Sequence, residues 1–181
     1  AYNGTLGNVS AQTLVCTNVD NNTAGVVLTS SPTVCEVNEQ QNQTTTAELV
    51  LTSAPEPDTT VNLTITNSDS GECDSNVTSL LFTENDWNIP QYVLISGVND
   101  LVDDGNQPCA WNFSVNTDVT TAPAYNGTLG TVSTQTLVCT NVDNNTAGVV
   151  LTSDPVVCEV NEQQNVTTTA ELVLTSAPEP D

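Results

Sequence analysis

The sequence of 181 residues contains no Lys, Arg, His or Met, but it has 22 Asp and Glu residues and a formal net charge of −22. Because no cationic side chain is present, these carboxylates must be solvated, bound to metal ions or covered. Phosphate binding depends mainly on Lys and Arg, so nucleic acid is excluded as a partner. Attraction to an anionic membrane surface is excluded for the same reason. The acidic field would instead attract cations.

Further absences narrow the class of protein. No apolar run is long enough to span a bilayer, so we expect no membrane insertion. Since neither a starting Met nor a signal peptide is present, we interpret the chain as a mature or internal part of a protein. Without His, Lys or Arg there is no imidazole base, Schiff-base amine or guanidinium clamp. We therefore expect no enzyme, and only a carboxylate pair, as in a glycosidase, remains as an alternative.

The six cysteines indicate disulfides. With no His in the sequence, the usual Cys/His zinc patterns are excluded, and no spacing is C-x-x-C. In an acidic chain rich in Thr and Asn, paired cysteines are typical of an oxidising compartment. We expect an extracellular or cell-surface location.

An internal repeat organises the chain. Residues 1–58 recur as residues 124–181 with five differences, at an offset of 123 residues. We place the unit boundary inside VDNNTAGVVL, a motif that occurs twice. Residues 1–23 are then the last strand of a preceding unit, residues 24–146 a complete unit, and residues 147–181 the first strands of the next. Such a repeat predicts a tandem array.

The apolar pattern predicts strands and no helix. Apolar and polar residues alternate in TVNLTIT (60–66) and in CAWNFSVN (109–116), as expected for strands with one buried face. Turn signals such as APEPD, NSDSG and DDGN separate the segments. Further predicted strands are TAELVLTS (46–53), SLLFT (79–83), QYVLISG (91–97) and TLVCTNV (13–19 and 136–142). About seven short strands in one unit indicate an all-β sandwich.

The sequence also resembles a known family. VNEQQNQTTTAELVLTSAPEPDTTVNLTI, SLLFTENDWNIPQYVLISGVNDLVDDGN, YNG and VDNNTAG together resemble the Calx-beta repeats of large surface and adhesion proteins. The resemblance covers the whole 123-residue period. It implies a seven-stranded, immunoglobulin-like (Calx-beta-like) sandwich in a tandem array, with acidic loops at one end that bind calcium in some members. The dense glycosylation motifs also resemble, more loosely, a subunit of a glycan-coated microbial fibril.

The same resemblance implies a Ca²⁺ site. The family's ligand positions fall on Glu39, Asp100, the Val102 carbonyl, Asp104 and Asp143, and Glu72 in the NSDSGEC loop is added to them. Asn residues replace the family's frequent Asp at three positions, and fewer charges weaken calcium binding. The alternative is a solvated acidic rim. The three substituted positions are Asn99, Asn144 and Asn145.

Ten N-x-S/T motifs make N-linked glycans a second expected modification. Seven of them fall within one period. Asn62 and Asn112 are predicted on the outward faces of their strands, where a bulky glycan fits. An Asn- and Thr-rich sequence also produces such motifs by chance. The motifs begin at Asn3, Asn8, Asn21, Asn42, Asn62, Asn76, Asn112, Asn126, Asn144 and Asn165.

The disulfide pairing is predicted from the strand order of the family's sandwich. The segment 33–37 should run parallel to the strand 136–142, and both cysteines lie four residues before an acid expected at the same end. This predicts Cys35–Cys139. Antiparallel pairing of strands 60–66 and 109–116 then predicts Cys73–Cys109.

The remaining two cysteines, Cys16 and Cys158, are expected to pair with neighbouring units. A rival pairing joins Cys16 to Cys35 and Cys139 to Cys158, which would link adjacent units and leave each one unclosed.

Two functions fit the array. The first is a structural, glycosylated extracellular filament or surface fibre whose partners are neighbouring copies of itself. The second is the stalk of a calcium-dependent adhesin that binds a cell or surface. They differ in how neighbouring chains associate.

Overall fold

A computed structural model describes residues 12–154, Glu162 and residues 167–178. The described residues form eleven strands and no helix, so none of them belongs to a helix that could cross a membrane. The strands are β1 (Val26–Ser31), β2 (Cys35–Asn38), β3 (Thr44–Leu51), β4 (Thr60–Asn67), β5 (Cys73–Ser75), β6 (Ser79–Thr83), β7 (Gln91–Gly97), β8 (Gln107–Val115), β9 (Gln135–Val142), β10 (Val149–Asp154) and β11 (Thr169–Leu174).

Strands β1 to β9 form two sheets packed as a sandwich. The four-stranded sheet has the order β1-β3-β7-β5, and the five-stranded sheet has the order β2-β9-β8-β4-β6. Every pair is antiparallel except β2–β9, which is parallel. Strands β1 to β9 therefore form an all-β, immunoglobulin-like sandwich, as predicted, but with nine strands where the sequence indicated about seven in one unit.

Alternating residues of both sheets fill the core. Val61, Leu63 and Phe113 are completely buried, while the adjacent Asn62 and Asn112 are half-buried on the outward side. This is the two-residue period expected of strands that cover a core on one face. Apolar residues buried with them are Val26, Val37, Ala47, Leu49, Leu51, Ile65, Leu80, Phe82, Val93, Ile95, Trp111, Ala122 and Tyr125.

Tyr125 closes the sandwich at the end where the chain enters it. Its ring is buried, and its hydroxyl donates a 2.7 Å hydrogen bond to the Ser53 carbonyl while accepting one from the Ser53 N–H at 3.3 Å. A buried tyrosine needs such partners for its hydroxyl. The YNG motif of the second copy thus belongs to the fold of β1–β9.

Three local predictions differ from the structure. Strands β1 and β5 were not predicted, and β5 has only three residues. Residues 13–19 were predicted as a strand but form no ladder, whereas the identical TLVCTNV at 136–142 lies in β9. The reason is context, because β9 finds β2 and β8 on its two sides and residues 13–19 pair with neither sheet.

Two disulfides join the elements as the sequence analysis predicted. Cys35 and Cys139 are bonded across β2–β9, and Cys73 and Cys109 are bonded between β5 of one sheet and β8 of the other. The rival pairing is therefore wrong for Cys35 and Cys139. Cys16 is exposed and unpaired among the described residues, and Cys158 lies outside them.

The chain enters and leaves the sandwich at opposite ends. Residue Val26, at the start of β1, lies opposite Leu51, so the chain enters at the end where β3 finishes. It leaves β9 at Val142, which lies beside Asn38 at the far end of β2. We call these the entry end and the exit end. A following unit therefore continues in the direction of the strands.

Strands β10 and β11 repeat the pairing of β1 and β3. Val149 lies opposite Leu174, as Val26 lies opposite Leu51 one period earlier. The apolar side chains differ in burial, since Leu49 is 0% exposed and its equivalent Leu172 is 69% exposed. Among the described residues, no second sheet covers β10 and β11.

Candidate functional site

The exit end carries a cluster of acidic side chains. Strands β2, β7 and β9 all finish there, and β5 begins there, because Cys73 lies opposite Gly97 and Asn38 beside Val142. The loops that adjoin these strand ends hold five of the residues predicted as calcium ligands. Those acids are Glu39, Glu72, Asp100, Asp104 and Asp143.

Three carboxylates form the centre of the cluster. One oxygen from each of Glu72, Asp100 and Asp104 lies within 4.8 Å of the others. Asp104 Oδ1 is buried and has no hydrogen-bond partner. A buried carboxylate oxygen with no donor is unfavourable unless a cation compensates it. Glu72, which was only an addition to the predicted set, is central here.

Glu39 is the most buried acid of the exit end, with 3% of its surface exposed. Burial raises the pKa of its carboxyl, because the charged form loses solvation. A hydrogen bond from the Asn144 N–H, at 3.3 Å, acts in the opposite direction. The negative charges of Asp143 and Asp100 raise the pKa further.

The pKa of Glu72 is also raised, first by burial and then by the charges of Asp104, Asp69 and Asp100. Asn141 lowers it by donating a 3.1 Å hydrogen bond to Glu72 Oε2. The pKa values of both glutamates are raised first by burial, and neighbouring carboxylates add to the effect. A bound cation would offset the charge of these carboxylates.

Asp143 lies at the rim of the cluster and is bound by backbone amides. Its Oδ2 accepts a hydrogen bond from the Gly105 N–H at 2.9 Å, and its Oδ1 accepts one from the Asn145 N–H at 2.6 Å. These bonds tie the residues after β9 to the loop between β7 and β8. Asp143 therefore links two loops of the exit end.

The loop between β7 and β8, residues 98–106, is held by side chains of its own and of the linker. The Val102 N–H donates to Asp100 Oδ1 at 2.8 Å, which forms a tight turn. Asn144 Nδ2 donates to Asn99 Oδ1 at 3.1 Å. Asn145 Nδ2 lies 3.5 Å from the Asp100 carbonyl. Asn99, Asn144 and Asn145 thus make hydrogen bonds between the loop and the linker.

Sequence reasoning missed one residue that positions the cluster. Asn141 is 1% exposed and donates from Nδ2 to both Glu72 and the Val98 carbonyl. A Cβ at Gly97 would overlap Asn141 Oδ1 and the Asn38 carbonyl, so this strand end requires glycine. The only signal for Asn141 is a polar residue at an inward position of β9, which the alternation of TLVCTNV contains.

The donor set fits a hard divalent cation. Calcium binds carboxylate and carbonyl oxygens in flexible geometry. The orphaned Asp104 oxygen, three converging carboxylates and the absence of any cationic side chain in the sequence agree with that chemistry. Glu72, Asp100 and Asp104 would hold the ion, and Glu39 lies beside them at the buried side.

The asparagines of the glycosylation motifs are accessible wherever the structure describes them. Asn21, Asn42, Asn76 and Asn144 are exposed. Half-buried positions on the outward faces or loops are Asn62, Asn112 and Asn126. Asn3, Asn8 and Asn165 lie outside the described residues.

The loop of residues 98–106, which we call the acidic loop, also contacts the strand pair β10–β11. The Ala177 N–H donates to the Leu101 carbonyl at 2.6 Å, and Val102 forms a parallel bridge with Ala177. The Ala147 N–H donates to Asp103 Oδ2. The exit end of the sandwich is thereby joined to the start of β10 and the end of β11.

Comparisons with known proteins give similarity of fold only. No protein family matches the chain, and no curated protein matches its sequence. One similar structure is SSP-19, an MSP-domain protein like family member in Caenorhabditis elegans, with a TM-score of 0.38 and 16% identity over 64% of this chain and 99% of that chain. Another is the E. coli chaperone DraB, with a TM-score of 0.40 and 8% identity over 66% of this chain and 55% of that chain. The resemblance to Calx-beta repeats stays a prediction.

Proposed function

We propose that this chain is a structural component of a glycosylated extracellular filament or surface fibre built from 123-residue units placed end to end. The observation that carries the proposal is the strand pair β10–β11. It repeats the register of β1–β3 residue for residue, yet its apolar side chains face no second sheet among the described residues. Further copies of the unit are the natural source of such a sheet.

The direction of the chain supports a linear array. It enters the sandwich at one end and leaves at the other, and the next strand pair begins beside the exit end. Repeats that contact only their neighbours make long, quasi-one-dimensional objects. A role without catalysis agrees with this arrangement.

Calcium would stiffen the junction between units. The acidic cluster lies at the exit end, and the loop that supplies Asp100 and Asp104 also contacts Ala147 and Ala177 of the following strands. An ion held by that loop would fix its shape and remove repulsion among carboxylates on both sides of the linker. We propose Ca²⁺ as the bound cation.

Glycans would cover the sides of the filament. The described motif asparagines lie on exposed loops or on outward strand faces. Sugar at these positions would keep the edge strands of the two sheets from pairing with other chains. The two disulfides agree with folding in an oxidising compartment, and we propose an extracellular location.

Small-angle X-ray scattering on the purified chain tests this proposal. We expect elongated particles whose length grows with protein concentration. A compact monomer at every concentration would contradict the filament. The alternative, a calcium-dependent adhesin stalk, predicts particles that are stiffened by calcium but do not grow.

A further inference from the structure

The strand pairs β1–β3 and β10–β11 have the same structure at the end where β1 and β10 begin. We call this end the base of each pair, the first base for β1–β3 and the second base for β10–β11. At the first base, Thr52 donates its N–H to the Gly25 carbonyl at 3.0 Å and its hydroxyl to the Thr23 carbonyl at 2.6 Å. The equivalent bonds of Thr175 at the second base have the same lengths, 3.0 and 2.6 Å. Residues that form the two bases are identical in sequence, since 24–30 matches 147–153 and 44–54 matches 167–177.

Within the part of the chain that the structure describes, only the second base has a hydrogen-bond partner on its outer side. There the Ala147 N–H donates to the Asp103 carboxylate and the Ala177 N–H to the Leu101 carbonyl, while Val102 bridges to Ala177. One carboxylate and one carbonyl of the acidic loop thus satisfy two backbone N–H groups of the following strands.

At the first base, the equivalent groups are the N–H of Ala24 and the N–H of Ala54. Neither donates a hydrogen bond to any described residue, Ala54 is exposed and Ala24 is half-buried. Both stand at the entry end, on the opposite side of the sandwich from the acidic loop. The loop of the same sandwich therefore cannot reach them.

We propose that the base formed by Ala24 and Ala54 docks the Leu101–Asp103 loop of a second copy of this chain. The contact would reproduce the geometry seen within the chain, so copies would join head to tail with the same direction as successive units. This inference rests on the proposed filament and names a surface through which separate chains associate once the loop leaves Ala147 and Ala177 of its own chain.

For docking between chains, the Leu101–Asp103 loop must leave the second base of its own chain and bind the first base of another chain, which has the same sequence. In each copy the loop is held by its own Ala147 and Ala177, and that intramolecular contact has the higher effective concentration. Freeing the loop should therefore expose its affinity for the first base. Ala147→Pro and Ala177→Pro remove the two N–H donors and lie outside the sandwich of β1–β9.

The test is cysteine cross-linking of the full chain with a short bismaleimide. All variants carry Cys16→Ser and Cys158→Ser, so that no native thiol interferes. The probe pair is Val102→Cys with Ala54→Cys, placed in the Ala147→Pro/Ala177→Pro chain. Because these two positions lie at opposite ends of one sandwich, only two chains can join them.

We expect a ladder of covalent dimers and higher oligomers that forms at least about 10-fold faster than with either cysteine alone, a free-energy difference of about 1.4 kcal/mol. As a positive control, Val102→Cys with Ala177→Cys in an otherwise wild-type chain should cross-link within one chain. If that control reacts and the probe pair gives no more oligomer than the single cysteines, the docking site is wrong.

Electron microscopy of the wild-type chain, in which the loop keeps its contacts with Ala147 and Ala177, separates this inference from the filament proposal. Fibres without Val102–Ala54 cross-links would overturn the docking site and leave the filament standing. Cross-linked oligomers of the probe variant, with no fibres of the wild-type chain, would support the docking site and contradict the filament. Absence of both would contradict both.

Discussion

Cys35 and Cys139 lie directly opposite each other in the parallel pair β2–β9, with their Cα atoms 4.5 Å apart and their sulfurs bonded. The bond joins the first strand of the five-stranded sheet to its last along the chain, across 104 residues of sequence. It therefore restricts nearly the whole sandwich in the unfolded state.

Removing this disulfide should lower the free energy of unfolding by about 4–5 kcal/mol in the chain-entropy treatment, because the loop it closes is long. We expect Cys35→Ala/Cys139→Ala to show this loss in urea denaturation followed by tryptophan fluorescence. The Cys73–Cys109 disulfide closes a shorter loop, so Cys73→Ala/Cys109→Ala should lower the free energy of unfolding by about 4 kcal/mol. Cys16→Ala is the matched control and should change nothing, since Cys16 is exposed and unpaired.

Calcium should raise the unfolding temperature through the exit-end cluster. At a calcium concentration 100-fold above its dissociation constant, stabilisation would be about 2.7 kcal/mol. Asp104→Asn should remove most of this effect, because Asp104 contributes a carboxylate to the central group. Asp118→Asn, an exposed acid in the loop after β8, is the control. An identical midpoint with calcium and with a chelator would show that the acids are merely solvated.

The raised pKa values of Glu39 and Glu72 give a defined pH dependence without calcium. A raised pKa means that the folded state binds protons more tightly than the unfolded state, so stability falls as pH rises through that window. In chelator, we expect the free energy of unfolding to increase from neutral pH toward pH about 5. With calcium present the trend should reverse, because protons compete with the ion for the carboxylates.

The double variant Glu39→Gln/Glu72→Gln separates this local effect from the general relief of a large negative charge. Its stability in chelator should depend less on pH than that of the wild-type chain. An unchanged slope would show that these two glutamates do not cause the dependence. Glu84→Gln, which changes a glutamate directly after β6 and outside the acidic cluster, should leave the slope as it is.

N-linked glycans are expected on several of Asn42, Asn62, Asn76 and Asn112 in the native source. All four are exposed or lie on the outward side of their strands. Peptide mass spectrometry with and without glycosidase treatment measures their occupancy. Finding all four unmodified would remove the glycan coat from the proposed function.

The sequence predicted the main relations of the fold because those relations have local signals. Alternation identified β4 and β8, and the equal spacing of Cys35 to Glu39 and Cys139 to Asp143 placed two sulfurs at the same level. Strand β5 has no such signal, since three residues are too few to show a period.

Context explains what the sequence could not show. TLVCTNV is a strand in β9 but forms no ladder with any described residue at 13–19, so the same residues have two structures according to their neighbours. At the acidic cluster, the acids were identifiable from the resemblance to Calx-beta repeats. Asn141 and Gly97 act through burial and close packing, which become visible only when β7 and β9 are brought together.

Cryo-electron microscopy of the native material tests the filament most directly. We predict fibres whose axial repeat corresponds to one 123-residue unit, with sandwiches in a single direction and density for glycans on their sides. Averaged subunits should show the acidic loop against the base of the next unit. Compact, monodisperse particles of a single chain would contradict the proposed function.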